Sequence, residues 1–367
     1  MFIAARTLFL LLTLLALLIT SPICRAEPAL LKLPALMDAR AAHQATLLPN
    51  GEVLLSGGCG GRCDRMLASS ERYDPARKQF RAAASLHTAR SGHSAIALRD
   101  GRVLVVGGWA GQAVTASAEL YDPVHDRFEP LPPMHVARAG ATASLLPDGR
   151  VLLAGGQDSQ LEPVNAVEIF DPDSGRFVRA AALTEARMNH VAVTLQDGRV
   201  LLIGGRQSRR GAMLASSEWF APDTGRWQRA GALQTARHKH AAVRLADGRV
   251  LVLGGSDGSD DRGRYRSSEL FDPISGRFSA GPQMQWPRFK IMHALAALAD
   301  GRAVIAGGAR QIELFAPVQL RFEPVSGELD YAPELATATV LATGEVLLAG
   351  GYDEQVNSRA QAWLIRL

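Results

Sequence analysis

Paired glycines recur along this chain at Gly57-Gly58, Gly107-Gly108, Gly155-Gly156, Gly204-Gly205, Gly254-Gly255, Gly307-Gly308 and Gly350-Gly351, at intervals of 50, 48, 49, 50, 53 and 43 residues. A period near 50 in a sequence without helical periodicity confines the fold to a propeller or a solenoid. Before each pair the chain writes a strand, a turn and a second strand, most plainly in Ser94 to Gly108, where Asp100-Gly101 divides two apolar runs. Asp-Gly between such runs predicts a two-residue type I′ hairpin, with both turn residues at positive φ.

After each of the first six glycine pairs comes a variable polar segment and then a third strand ending in an aromatic, Asp or Ala, and Pro: Tyr73-Asp74-Pro75, Tyr121-Asp122-Pro123, Phe170-Asp171-Pro172, Phe220-Ala221-Pro222, Phe271-Asp272-Pro273 and Phe315-Ala316-Pro317. A second aromatic five residues past each proline (Phe80, Phe128, Phe177, Trp227, Phe278, Phe322) opens a fourth strand. Four antiparallel strands per repeat make a propeller blade. The second strands, such as Val103 to Val106 and Val200 to Ile203, are apolar throughout, as strands covered on both faces are.

The full motif set, Arg-x-x-His, Asp-Gly, apolar run, Gly-Gly, Glu-x-aromatic-Asp-Pro and a final aromatic, resembles the kelch repeat in seven copies. The resemblance implies an all-β, seven-bladed propeller of four-stranded blades. The seventh repeat has only three strands of its own, ending with Arg359 to Leu367, and the leucines of Leu30 to Met37 resemble fourth-strand segments. A strand at about residues 28–38 is therefore expected to close the ring as the outer strand of the last blade, burying Leu30, Leu31, Leu33 and Leu36 and removing two sheet edges.

The first 26 residues carry a basic start, an apolar run from Leu8 to Thr20 and a small-x-small ending at Ala26, which predicts a secretory signal. Ile23 stands where a lipoprotein signal carries a small residue, which argues against an anchor on Cys24. Residues 27–367 then form one exported domain, secreted or periplasmic, with no membrane insertion after cleavage. Removing Arg6 and Arg25 with the signal leaves 38 basic and 36 acidic residues, too even a balance for nucleic-acid binding. Cys59 and Cys63, the cysteines left, are expected to pair in an oxidising compartment.

Strand direction sorts the turns onto two faces. The Asp-Gly and Asp-Pro turns share a uniform face, and the segments after each Gly-Gly and the inter-blade connections share the variable one, where binding is expected. Arg40, Arg90, Arg138, Arg187 and Arg237 each stand eleven residues before a turn glycine, and Lys290 and Pro333 occupy that offset in the last two repeats. In the kelch adaptors that these repeats resemble, arginines here contact acidic ligands, which implies an anionic partner. The architectural alternative is that they anchor the blades through the repeated Glu71, Glu119, Glu168, Glu218, Glu269 and Glu313.

Histidines follow three residues later at His43, His93, His190, His240 and His293, spaced too widely round a large ring for one metal to bridge. The Asp257, Asp260 and Asp261 loop lacks a calcium-loop spacing. Neither metal nor cofactor is expected. Galactose oxidase also resembles kelch propellers, but the Tyr-His pair and the cysteine-linked tyrosine of its copper-radical chemistry are missing from this sequence. The expected function is a monomeric binding or scaffold protein for a protein or glycan. The alternative is a carbohydrate-active enzyme such as a sugar epimerase or mutarotase, with Arg237, Lys290 and His238, a histidine outside the repeat pattern, as acid–base candidates.

Overall fold

The computed structural model describes residues 29–208, 211–258 and 263–367. The signal segment and Asp260 and Asp261 lie outside the described residues. The chain forms seven four-stranded antiparallel blades and, at one rim, two small two-stranded hairpins. Blade two shows the pattern, from the channel outward: Ser94–Ala97, Val103–Val106, Ala118–Asp122 and Arg127–Leu131. Every residue of Val103–Val106 is buried, because the neighbouring blades cover both of its faces. Tyr121 and Phe128 pair across the outer strands with ring centroids 4.8 Å apart, and the same aromatic pair recurs in the first six blades.

The seventh blade is assembled from both ends of the described chain. Ala29–Lys32 pairs antiparallel with Ala362–Arg366, placing Leu30 opposite Ile365. Leu33 and Leu36 are buried as expected, whereas Leu31 points outward and is exposed, since alternate residues of an edge strand face opposite sides. Leu33 and Leu36 belong to the core shared by blades seven and one.

The inner hairpins differ from the type I′ expectation. In Leu98 to Arg102 only Gly101 has a positive φ, 87°, and Leu98 N–H donates to the Arg102 carbonyl at 2.8 Å. The Asp100 carboxylate accepts the Arg102 N–H at 3.0 Å, so the aspartate acts through its side chain rather than by adopting a left-handed backbone. The glycine pairs serve blade contact: a Cβ at Gly107 would lie 2.4 Å from the Arg138 carbonyl oxygen of the next blade.

Candidate binding site

The variable face is built on the connections that enter each blade. In blade two Arg90 is fully buried, donates to the Gly107 carbonyl at 2.8 Å and pairs with Glu119 at 2.7 Å. Glu119 also accepts the backbone N–H groups of His87 and Thr88, at 2.7 and 3.1 Å. The pair thus rivets the incoming connection to the third strand. The same arrangement holds Arg40–Glu71, Arg138–Glu168, Arg187–Glu218 and Arg237–Glu269. Burial pulls the Arg90 pKa down, against the opposing charge of Glu119.

The sequence places these arginines on the variable face as candidates for an anionic partner. Their backbone lies on the variable face, but their guanidinium groups are turned into the blades and consumed there. In blade six the equivalent residue is Arg288, paired with Glu313 at 2.8 Å, not Lys290. The spacing from Arg288 to the turn at Gly301 is thirteen residues instead of eleven, so counting back from the turn lands two residues late. Lys290 pairs with Glu334 at 3.0 Å and lies over the rings of Phe289 and Tyr352. Burial lowers its pKa, but Tyr352 and Glu334 outweigh that and raise it. His238 is fully buried with its ring 5.6 Å from that of Phe289. Arg237, His238 and Lys290, named above for acid–base work, therefore do not line the channel cavity.

Two residues beyond each arginine position the chain turns left-handed, at Ala42, Gly92, Gly140, Asn189, Lys239, Lys290 and Leu335, with φ between 49° and 63°. These residues hydrogen-bond from blade to blade around the channel: Gly92 N–H to the Ala42 carbonyl at 2.9 Å, Gly140 to Gly92 at 2.8 Å, Lys239 to Asn189 at 2.9 Å and Ala42 to Leu335 at 3.0 Å. All of them except Lys290, whose side chain turns to Glu334, line the cavity at the channel mouth. Blades one to three contribute Ala42, Gly92 and Gly140, while blades four, five and seven contribute larger residues, so the mouth opens off-centre.

A cavity of about 930 Å³ opens there. Its polar lining includes Gln44, Gln112, Gln157, Asn189 and Lys239, with Trp109 beside them, and among the described residues it contains no Asp or Glu. The loops above brace one another. Cys59 and Cys63 form the expected disulfide, Ser358 of blade seven donates to the Cys59 carbonyl at 2.9 Å, and Val114 N–H of blade two donates to Ser159 of blade three at 3.0 Å.

A kelch motif model matches residues 89–135, the second repeat of a ring whose seven blades share its geometry. The chain carries a kelch motif in its second repeat and folds as a seven-bladed propeller. Among solved structures, a fungal alcohol oxidase of the AA5 family in complex with copper matches 92% of this chain and 75% of its own, with a TM-score of 0.73 and 16% identity. That identity speaks for the shared fold alone. No curated protein matches the sequence.

The residues of this propeller do not fit a copper-radical site with a cysteine-linked tyrosine: Cys59 and Cys63, the cysteines among the described residues, are bonded to each other. The repeat-position histidines His43, His93, His190 and His240 are buried wedges between blades. His43 bonds Thr337 at 2.9 Å, His93 bonds Ser56 at 3.3 Å and His190 bonds Thr142 at 3.2 Å, each reaching the preceding blade. Sequence reading missed the cavity residues because they lie at positions where the repeat varies. The signal available was the size of the residue two after each arginine.

Proposed function

We propose that this protein is an exported kelch-propeller binding module that takes a protein or glycan partner into the channel mouth on its variable face. The observation that carries this reading is the off-centre cavity over Ala42, Gly92 and Gly140, walled by loops that brace one another. A cleft of this size on a rigid scaffold suits a ligand site. Acid–base catalysis on a sugar is less well supported, since among the described residues no carboxylate lines the cavity and the candidates Arg237, His238 and Lys290 are buried or paired elsewhere.

The test uses the ring's own precedent. A Cβ at Gly140 meets nothing within 4 Å, and Lys239 and Lys290 adopt the same left-handed conformation. Gly140→Lys should fold, at a cost of about 1 kcal/mol for the left-handed side chain, while narrowing the mouth. Partner capture by the exported wild type and its loss in Gly140→Lys is the expected result. Capture that survives Gly140→Lys overturns the site, and N-terminal sequencing of the exported chain checks cleavage after Ala26.

A further inference from the structure

The two additional residues of blade six have a local consequence. Ile291 enters the slot that histidine fills in other blades, its Cδ1 lying 2.9 Å from where a Cβ on Gly254 would stand. The chain then makes a tight turn, Ala294 N–H donating to the Ile291 carbonyl at 2.9 Å. Met292 and His293, at the tip of that turn, line the cavity. His293 is thereby the repeat-position histidine that is exposed, whereas its four counterparts are buried between blades, His93 and His190 with only an edge on the cavity.

Across the channel, Gln44 Nε2 of blade one lies 3.3 Å from His293 Nε2. An amide nitrogen can only donate, so His293 Nε2 accepts and the ring proton sits on Nδ1. The channel thus holds a side-by-side donor and acceptor in neutral form. The crowding walls hold the His293 pKa below the ordinary imidazole value despite its exposure. The charged or titratable groups about it are His43 and His93, which burial holds neutral, Arg40, and Lys239 across the same cavity.

We propose that the cavity binds a neutral saccharide, with the Gln44–His293 pair gripping its hydroxyls and Trp109 offering an apolar platform. A hydroxyl donates and accepts at once, so it can enter between the two, accepting from the Gln44 amide N–H and donating to the His293 Nε2 lone pair that their own 3.3 Å bond otherwise uses. An anion brings acceptors only and leaves the lone pair unmatched. A peptide that bound by adding to a backbone edge would find none there, because the mouth spends backbone groups on its own blade-to-blade hoop. Four side-chain amides, Gln44, Gln112, Gln157 and Asn189, extend the same chemistry around the wall. The inference rests on the proposed cavity site and adds its ligand class and its key contact.

The experiment is calorimetric titration of the whole exported chain with neutral tri- and tetrasaccharides based on glucose, galactose and N-acetylglucosamine, with a trigalacturonate arm, at about pH 7.5 and at a pH below that at which the His293 ring, followed by its proton resonance, takes up its proton, which lies under the ordinary imidazole value. Circular dichroism confirms the fold at both. A neutral saccharide should bind at the higher pH and weaken by about tenfold for each pH unit below the His293 pKa, as protonation removes the acceptor. His293→Gln, which keeps an acceptor, should bind within a few-fold of wild type at the higher pH and lose the acid dependence. Trp109→Ala should weaken binding by about tenfold or more, the scale of a lost aromatic platform.

Absence of binding by any neutral saccharide, preference for the trigalacturonate, or an unchanged pH profile in His293→Gln overturns the proposal. A protein ligand whose capture Gly140→Lys abolishes would leave the cavity site standing and sink only the saccharide inference. Capture indifferent to Gly140→Lys would sink both.

Discussion

Blade seven and the other six solve one problem with different chemistry. Each must fasten the incoming connection to a carbonyl beside the glycine pair. Blades one to six use a buried arginine, as Arg90 does on Gly107, and neutralise it with a glutamate of the third strand. Blade seven puts Tyr331 there: its hydroxyl donates to the Gly350 carbonyl at 2.8 Å and its ring packs on Trp363 with centroids 5.6 Å apart. The neutral version needs no charge removed from water. The ionic one in blade two gains four further backbone hydrogen bonds through Glu119 and Arg90, at the risk of a stranded charge if either partner is lost.

The largest effect should come from stranding that charge. Glu119→Ala leaves Arg90 buried beside two unsatisfied N–H groups, and removing one partner of a buried pair costs about 3–5 kcal/mol. Chemical denaturation should report that loss, with Glu119→Gln, which keeps an acceptor, retaining part of it. A loss under about 1 kcal/mol would mean that the ionic rivets are no stronger than surface pairs.

Acid should separate the blades next. Burial holds His43, His93 and His240 well below their ordinary pKa, with nearby arginines adding to it, and pushes His190 down to about 3. The unfolded chain takes up these protons near pH 6.5 and the folded chain does not, so stability falls as pH drops from about 6.5 toward the folded values. The slope is about 1.4 kcal/mol per pH unit for each histidine, or about 2 kcal/mol apiece at pH 5. Blades three, six and seven carry Ala141, Ile291 and Ala336 in this slot and add no slot histidine to the slope, although His293 of blade six, also held low by burial, adds a share of its own. Neither ring nitrogen of His240 has a hydrogen-bond partner, so His240→Ile, the residue of blade six, should cost little at neutral pH and remove one histidine's share of the acid loss. Parallel slopes for wild type and variant between pH 7 and 5 would refute this.

The ring, the blade make-up and its closing strand were legible because repetition states the same contact seven times and chance does not. The Arg–Glu rivet was also in plain view as a recurring pair, although residue type alone could not say which way the guanidinium turned. What escaped was whatever broke the repeat. Counting from Gly301 assigned Lys290 to a place that Arg288 holds, because the additional pair of residues lies between them and the turn. The cavity was hidden for a related reason: it depends on the absence of side chains at Gly92 and Gly140, and a missing group leaves little pattern.

The smallest effect bears most directly on the neutral solution. Tyr331→Phe keeps the ring against Trp363 and deletes only the hydroxyl, leaving the buried Gly350 carbonyl without that donor. Burial drives the phenol pKa above its ordinary value, so it remains a donor throughout the pH range in which the propeller is folded. A buried neutral hydrogen bond lost in this way costs about 1–2 kcal/mol, less than half the expected loss for Glu119→Ala. The two variants should also differ in combination. Because they lie in different blades with no shared partners, their losses should add to within about 0.5 kcal/mol in a double mutant. A larger departure from additivity would show that the rivets act as one cooperative belt around the ring, and the contrast between ionic and neutral blades would then describe local chemistry but not local stability.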